Sequence, residues 1–304
     1  MLEIAIMIEG QNGLNWGRWK RIARLVEDVG FVGLYRSDHF TNSNPPDLDS
    51  LELWTSLTWL ADNTKRIEFG PLVTPFSFRH PAFIVRMASA VDDLSGGRLT
   101  LGLGAGWQDR EHTLFGFDLL EPKARYDRFE EGMEVVTRLL QSDEPLRFDG
   151  QYYQVRGARL LPRPQRKGGP RILIGGGGGK RMRSLVSQYA VEWNCVMLTP
   201  KVFGARNRLL TEALKVAGRK PESVRRSMMT GCFFGKDDTA LKEKLSARNR
   251  TIDQLHDRGI VAGSPDQVKE QLHHLEEAGL ERVMLQWLDL DDLDGLEALA
   301  KAVL

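Results

Sequence analysis

Asp38 and His39 stand side by side where a short apolar run, Phe31 to Tyr35, gives way to a polar loop. Histidine gains or loses a proton near neutral pH and is the commonest general acid/base. Asp38 is not assigned to orient His39, because consecutive residues on an extended strand point to opposite sides. A second candidate begins with Arg171-Ile172-Leu173-Ile174, which runs into five glycines, Gly175 to Gly179, and then Lys180-Arg181. Strand, loop and an amphipathic helix from Met182 to Ala190 make an anion cradle there. Glycine amides crowd together without Cβ interference, and the first amides of a helix have no intrahelical partner. A third is Gly102-Leu103-Gly104-Ala105-Gly106, a small-residue floor that lets a flat ring system approach the backbone.

Several chemistries are excluded. A Walker loop needs a glycine and a Ser or Thr where Ile174 and Arg181 stand, and a dinucleotide fingerprint fails at Gln108 and Asp109. No metal is expected. The first strand-like run, Ile4 to Ile8, carries no ligand, and His80, His112 and His256 are isolated. His273 and His274 lie about 100° apart on a helix. No Gly-x-Ser-x-Gly elbow exists, and Cys195 and Cys232 read as buried reduced thiols. A net charge of +1 gives no reason to expect nucleic acid or an acidic membrane. No apolar run reaches spanning length and no basic-then-apolar leader opens the chain, so a cytoplasmic protein is expected.

The elements that must position these groups alternate. Strand-like runs start near Ile4, Phe31, Arg66, Arg98, Arg171, Val191, Ser227 and Arg282, and most are followed by a helical stripe. Eight β-then-α units in 304 residues predict an α/β fold, a (β/α)8 TIM barrel with insertions. An open doubly wound sheet is the alternative. One domain is expected over residues 1–304, with an insertion at about 107–165 that contains a hairpin turned by Asp149-Gly150. In a barrel the active site lies at the carboxyl ends of the strands. The rim then comprises Glu9 to Asn12, Ser37-Asp38-His39, Thr74, Gly104 to Trp107, Gly175 to Gly179, Asn194, Thr230 and Gln286-Trp287. An anion cradle, a small-residue floor and an ionisable histidine on one rim fit a phosphorylated aromatic cofactor whose own ring carries the redox chemistry.

The chain resembles the luciferase-like monooxygenase superfamily, in its branch of oxidoreductases that use the deazaflavin coenzyme F420. Ser37-Asp38-His39-Phe40, Arg79-His80-Pro81, Leu94-Ser95-Gly96-Gly97-Arg98, Gly102 to Trp107 and Tyr126 to Glu131 carry the resemblance. So do Pro162-Arg163-Pro164-Gln165, Ile172 to Gly178, Ala190 to Asn194 and Gly263 to Val268. The resemblance implies a bacterial-luciferase-like barrel, usually a homodimer, that transfers a hydride between the deazaflavin and an organic substrate. By motif match His39 would be the acid/base and Asp38 would contact the ring. Leu72-Val73-Thr74 would form a bulge behind the ring, with a non-proline cis peptide expected at Pro71-Leu72. Gly104, Ala105, Gly106 and Trp107 would border the ring, and Gly175, Gly176, Gly177, Gly178 and Gly179 would hold the cofactor phosphate. Sugar-phosphate dehydrogenases of the family carry an acidic residue where this chain has Trp107, so a small, fairly apolar substrate is expected instead. FMN, used with oxygen by related monooxygenases, is the alternative cofactor. A barrel that binds a flavin-like ligand without turnover is the alternative of another class.

Overall fold

Alternate residues of the first strand serve two different cores. In a computed structural model describing residues 1–304, β1 spans Glu3–Ile8. Its Ile4, Ile6 and Ile8 join a large outer cluster shared with the helices, whereas Ala5 and Met7 pack inward with Tyr35, Leu173 and Met284. Successive strand residues face opposite ways, so a near-continuous apolar run is what a strand covered on both sides requires.

The chain continues through α1 (Trp16–Val29), β2 (Gly33–Arg36), α2 (Leu53–Asn63), β3 (Glu68–Pro71), β4 (Thr74–Pro75), α3 (Pro81–Leu94) and β5 (Thr100–Gly104). An excursion follows: α4 (Asp109–Phe115), α5 (Pro122–Gln141) and the hairpin β6 (Leu146–Asp149) and β7 (Gln154–Ala158). Alternation resumes with β8 (Arg171–Gly175), α6 (Lys180–Tyr189), β9 (Glu192–Val196), α7 (Pro200–Val216) and β10 (Arg225–Phe234). The last elements are α8 (Asp238–Ala247), α9 (Ile252–His256), β11 (Val261–Gly263), α10 (Pro265–Glu277), β12 (Arg282–Gln286) and α11 (Leu293–Val303).

The main sheet runs β3-β2-β1-β12-β10-β9-β8-β5-β4, with parallel pairing throughout. The expected single strand from Arg66 to Thr74 is broken in two. Its first half pairs with β2, its second half with β5, and a bridge between Phe69 and Leu99 joins the ends. Nine strand segments therefore make eight staves, and the fold is the expected (β/α)8 barrel. The closing staves approach closely: a Cβ on Gly70 would strike the Thr100 carbonyl, and one on Gly102 the Pro71 carbonyl.

Two local expectations change. The hairpin does not turn tightly on Asp149-Gly150, because its strands end at Asp149 and resume at Gln154. The Glu131 carboxylate on α5 accepts the amides of Gln151, Tyr152 and Tyr153 at 2.9, 2.8 and 3.2 Å, and this holds a longer loop. α9 and β11 have no counterpart among the expected elements, and β11 extends the far end of β10. At the start of α10 the Gln267 side chain accepts the Ser264 amide at 2.9 Å and Pro265 takes the first turn. No helix is long and apolar enough to cross a membrane.

Candidate active site

At the carboxyl ends of the strands a cavity of about 360 Å³ opens, within the roughly 300–1,000 Å³ of small-molecule sites. β2 delivers Ser37, Asp38 and His39 to its wall. Asp38 is 4% exposed and firmly held. Thr74 donates its hydroxyl to Oδ2 at 2.6 Å, and Arg79 reaches both oxygens at 2.5 and 3.2 Å. Burial pushes the Asp38 carboxyl above the ordinary range, while Arg79 and Thr74 pull the other way.

His39 faces the cavity, and Asp38 does not orient it. Its Nδ1 lies 2.8 Å from Oε1 of Glu111, on α4. The other oxygen of Glu111 accepts the Phe40 amide at 2.9 Å. Gln108 brings Nε2 to 3.2 Å from the same ring nitrogen and donates to the Thr41 carbonyl at 3.0 Å. Burial lowers the pKa of His39, but the hydrogen bond and charge of Glu111, with help from Glu9 and Asp38, outweigh it and leave a net upward shift. The Trp107 ring stands edge-on to the imidazole at 5.4 Å and is 61% exposed.

The break between β3 and β4 forms another part of the wall. Leu72 and Val73 line the cavity. The non-proline cis bond joins Leu72 to Val73, one residue later than Pro71-Leu72. The Leu72 amide still donates to the Arg36 carbonyl at 2.7 Å, so the β2 ladder extends through Leu72 and the chain turns only after it. Val73 seats against two glycines. A Cβ on Gly104 would come to 2.5 Å of its Cγ2, and one on Gly175 to 2.9 Å of its Cγ1.

Gly104, Ala105, Gly106, Trp107, Gly175 and Gly176 border the cavity. Pro71 and Thr74 do not, the latter standing behind Asp38 as its partner. Gly177, Gly178 and Gly179 lead away from the cavity to α6, where Gly179 is the N-cap with no side-chain bond. Arg206 donates to the Gly177 carbonyl and Arg183 to that of Gly178 at 2.5 Å. Arg181 is spoken for elsewhere, paired with Asp127 and Glu130. Of the remaining rim residues, Glu9 and Asn194 line the cavity, but Thr230 and Trp287 do not. Gln286 acts indirectly, its amide and that of Gln11 holding the Glu9 carboxylate at 2.6 and 2.8 Å.

Sequence reading missed Arg79 as the partner of Asp38 and Glu111 as the partner of His39. Arg79 was visible inside a family motif. Glu111 gave no signal, being 72 residues from His39 in a segment whose path the sequence leaves open.

Known proteins resemble this chain in sequence and in fold. An F420-dependent glucose-6-phosphate dehydrogenase of Amycolatopsis mediterranei is 27% identical over 294 residues, covering 85% of each chain. The fold superposes on an F420-dependent secondary alcohol dehydrogenase, in complex with an F420-acetone adduct, with a TM-score of 0.85 and 18% identity over 100% of this chain and 99% of that one. It also superposes on the oxygenating constituent of 3,6-diketocamphane monooxygenase from Pseudomonas putida, in complex with FMN. There the TM-score is 0.77 and the identity 18% over 100% and 98% of the chains. The luciferase-like monooxygenase profile matches residues 3–254, and the protein is an enzyme that belongs to that family.

Proposed function

We propose that this enzyme transfers a hydride between coenzyme F420 and a small, largely apolar organic substrate, with His39 as the acid/base. The observation that carries the reading is the placement of His39. Its Nδ1 is occupied by Glu111, and its ring faces a cavity that the Leu72–Val73 bulge also lines.

The residues present fit a phosphorylated ring cofactor. Gly104 to Gly106 and Gly175-Gly176 keep side chains out of the floor, while Val73 fills the space behind it. Beyond, the start of α6 has no side-chain cap at Gly179, and nothing lies within 4 Å of where a Cβ there would project. Arg183 and Arg206 add positive charge beside the loop. Uncapped helix amides and nearby guanidinium groups suit a phosphate. When bound, the deazaflavin supplies the hydride chemistry.

The chain's own groups do the rest. Nε2 of His39 holds or releases the proton that the substrate gains or loses. Asp38, fixed by Arg79 and Thr74, presents a held carboxylate to the ring, and Trp107 stands edge-on to the imidazole. Glucose 6-phosphate, the substrate named for the Amycolatopsis relative, suits this cavity poorly. None of its lining residues is a lysine or arginine, and a buried phosphate needs such a partner.

Titrating the purified protein with F420 and with FMN, following fluorescence quenching, tests the cofactor assignment. Saturable F420 binding with weaker FMN binding is expected. Tight FMN binding with none of F420 would overturn it and favour oxygen chemistry. Turnover of F420 across a panel of alcohols, ketones and enones would then narrow the substrate.

A further inference from the structure

Trp107 stands edge-on to His39, and a carboxylate reaches the same ring. It is that of Glu111, four residues further along the chain, and it lines the same cavity. Glu111 is 1% exposed, and both its oxygens are engaged, one by Nδ1 of His39 and the other by the Phe40 amide. An ionised carboxylate accepts only, so against an ionised Glu111 the proton of the 2.8 Å contact would sit on Nδ1; Gln108 Nε2 stands 3.2 Å from the same nitrogen. The helix that carries Glu111 is itself fastened. Arg110 makes two bonds to Asp47, at 2.6 and 2.7 Å, and His112 Nε2 lies 2.7 Å from the Ser77 hydroxyl.

We propose that Glu111 is a positioning residue for the reaction, locking His39 as the Nδ1–H tautomer so that Nε2 alone meets the substrate. This rests on the reading of His39 as acid/base, but the two claims fail separately. The charged groups acting on His39 come from three elements. Glu9 lies at the end of β1, Asp38 with its Arg79 partner after β2, and Glu111 on α4. Of the three carboxylates only Glu111 bonds the ring. Removing its charge should therefore lower the pKa of His39, because burial remains and opposes protonation.

The test follows His39 by imidazole NMR in the full-length protein, with and without F420, in Glu111→Gln and Glu111→Leu variants. The wild-type ring should be protonated at Nδ1 above its titration midpoint. The midpoint should move to lower pH in both variants, and Glu111→Leu should lose the tautomer preference. F420 affinity should stay within about twofold. Turnover should fall by less than the roughly 10²–10⁴-fold worth of a general acid/base, with the limb of the pH–rate profile that reports His39 moving to lower pH. An unmoved midpoint and tautomer would overturn the proposal, even if activity dropped, since Glu111 would then be merely structural. If the midpoint moves while His39→Ala keeps full activity, the positioning stands and the acid/base role of His39 falls.

Discussion

The two ends of the barrel both bury charge, and they use it differently. At the amino ends of the strands Arg282, 1% exposed, bonds Glu3, Glu68 and the Tyr35 hydroxyl at distances of 2.6 to 2.7 Å, with Glu192 at 3.7 Å. Arg225 adds longer contacts to the same three carboxylates. Arg171 pairs with Glu68 as well, so three arginines meet three carboxylates and every charge there faces a partner. At the carboxyl ends Asp38 has Arg79, while His39 lies against Glu111 beside an open cavity. Buried charge is thus not itself a mark of function. What separates the ends is a titratable ring that opens, with its carboxylate partner, onto empty space.

That contrast can be broken by substitution. Removing Arg282 leaves buried carboxylates uncompensated. Arg282→Met should cost about 3–5 kcal/mol of stability, read by denaturant unfolding, while turnover per folded molecule stays near wild type. A loss of turnover without a loss of stability would erase the distinction. Asp38→Asn removes the charge facing Arg79 in a site that also borders the cavity, so it should lower both stability and F420 affinity, the first by about 1–3 kcal/mol. Calorimetry and the cofactor titration check the two effects. Gly104→Ala puts a Cβ against Val73 at 2.5 Å and should cost about 1–3 kcal/mol by overpacking, with weaker cofactor binding as Val73 shifts. The smallest effect belongs to Arg181→Gln. That residue is a third exposed and pairs with partly exposed Asp127 and Glu130, so stability should change by about 1 kcal/mol or less and cofactor affinity not at all. A large loss of affinity would show that the anion cradle draws on Arg181 after all.

Much of the barrel was legible because its signals are local. Each strand is a short apolar run, glycines or prolines punctuate the turns, and the run from Ile4 to Ile8 announces two covered faces before any contact is known. The rim position of Asp38, His39 and both glycine stretches then follows from chain direction alone. What escaped depends on contacts between distant segments. The third stave breaks because its halves pair with different neighbours, and the cis bond falls at Leu72-Val73 because the β2 ladder reaches Leu72. The loop after Asp149 is set by Glu131 on another element. Glu111 reaches His39 only through the path of α4, which periodicity over seven residues cannot give.

The most direct measurement of the central claim compares wild-type protein and His39→Ala for F420 binding and for hydride transfer with the best substrate of the panel. The account predicts equal F420 affinity and, per folded molecule, a fall in kcat of about 10²–10⁴-fold, with some loss of stability because buried Glu111 loses its partner. Full hydride transfer by the variant, with the cofactor bound as tightly as before, would contradict it.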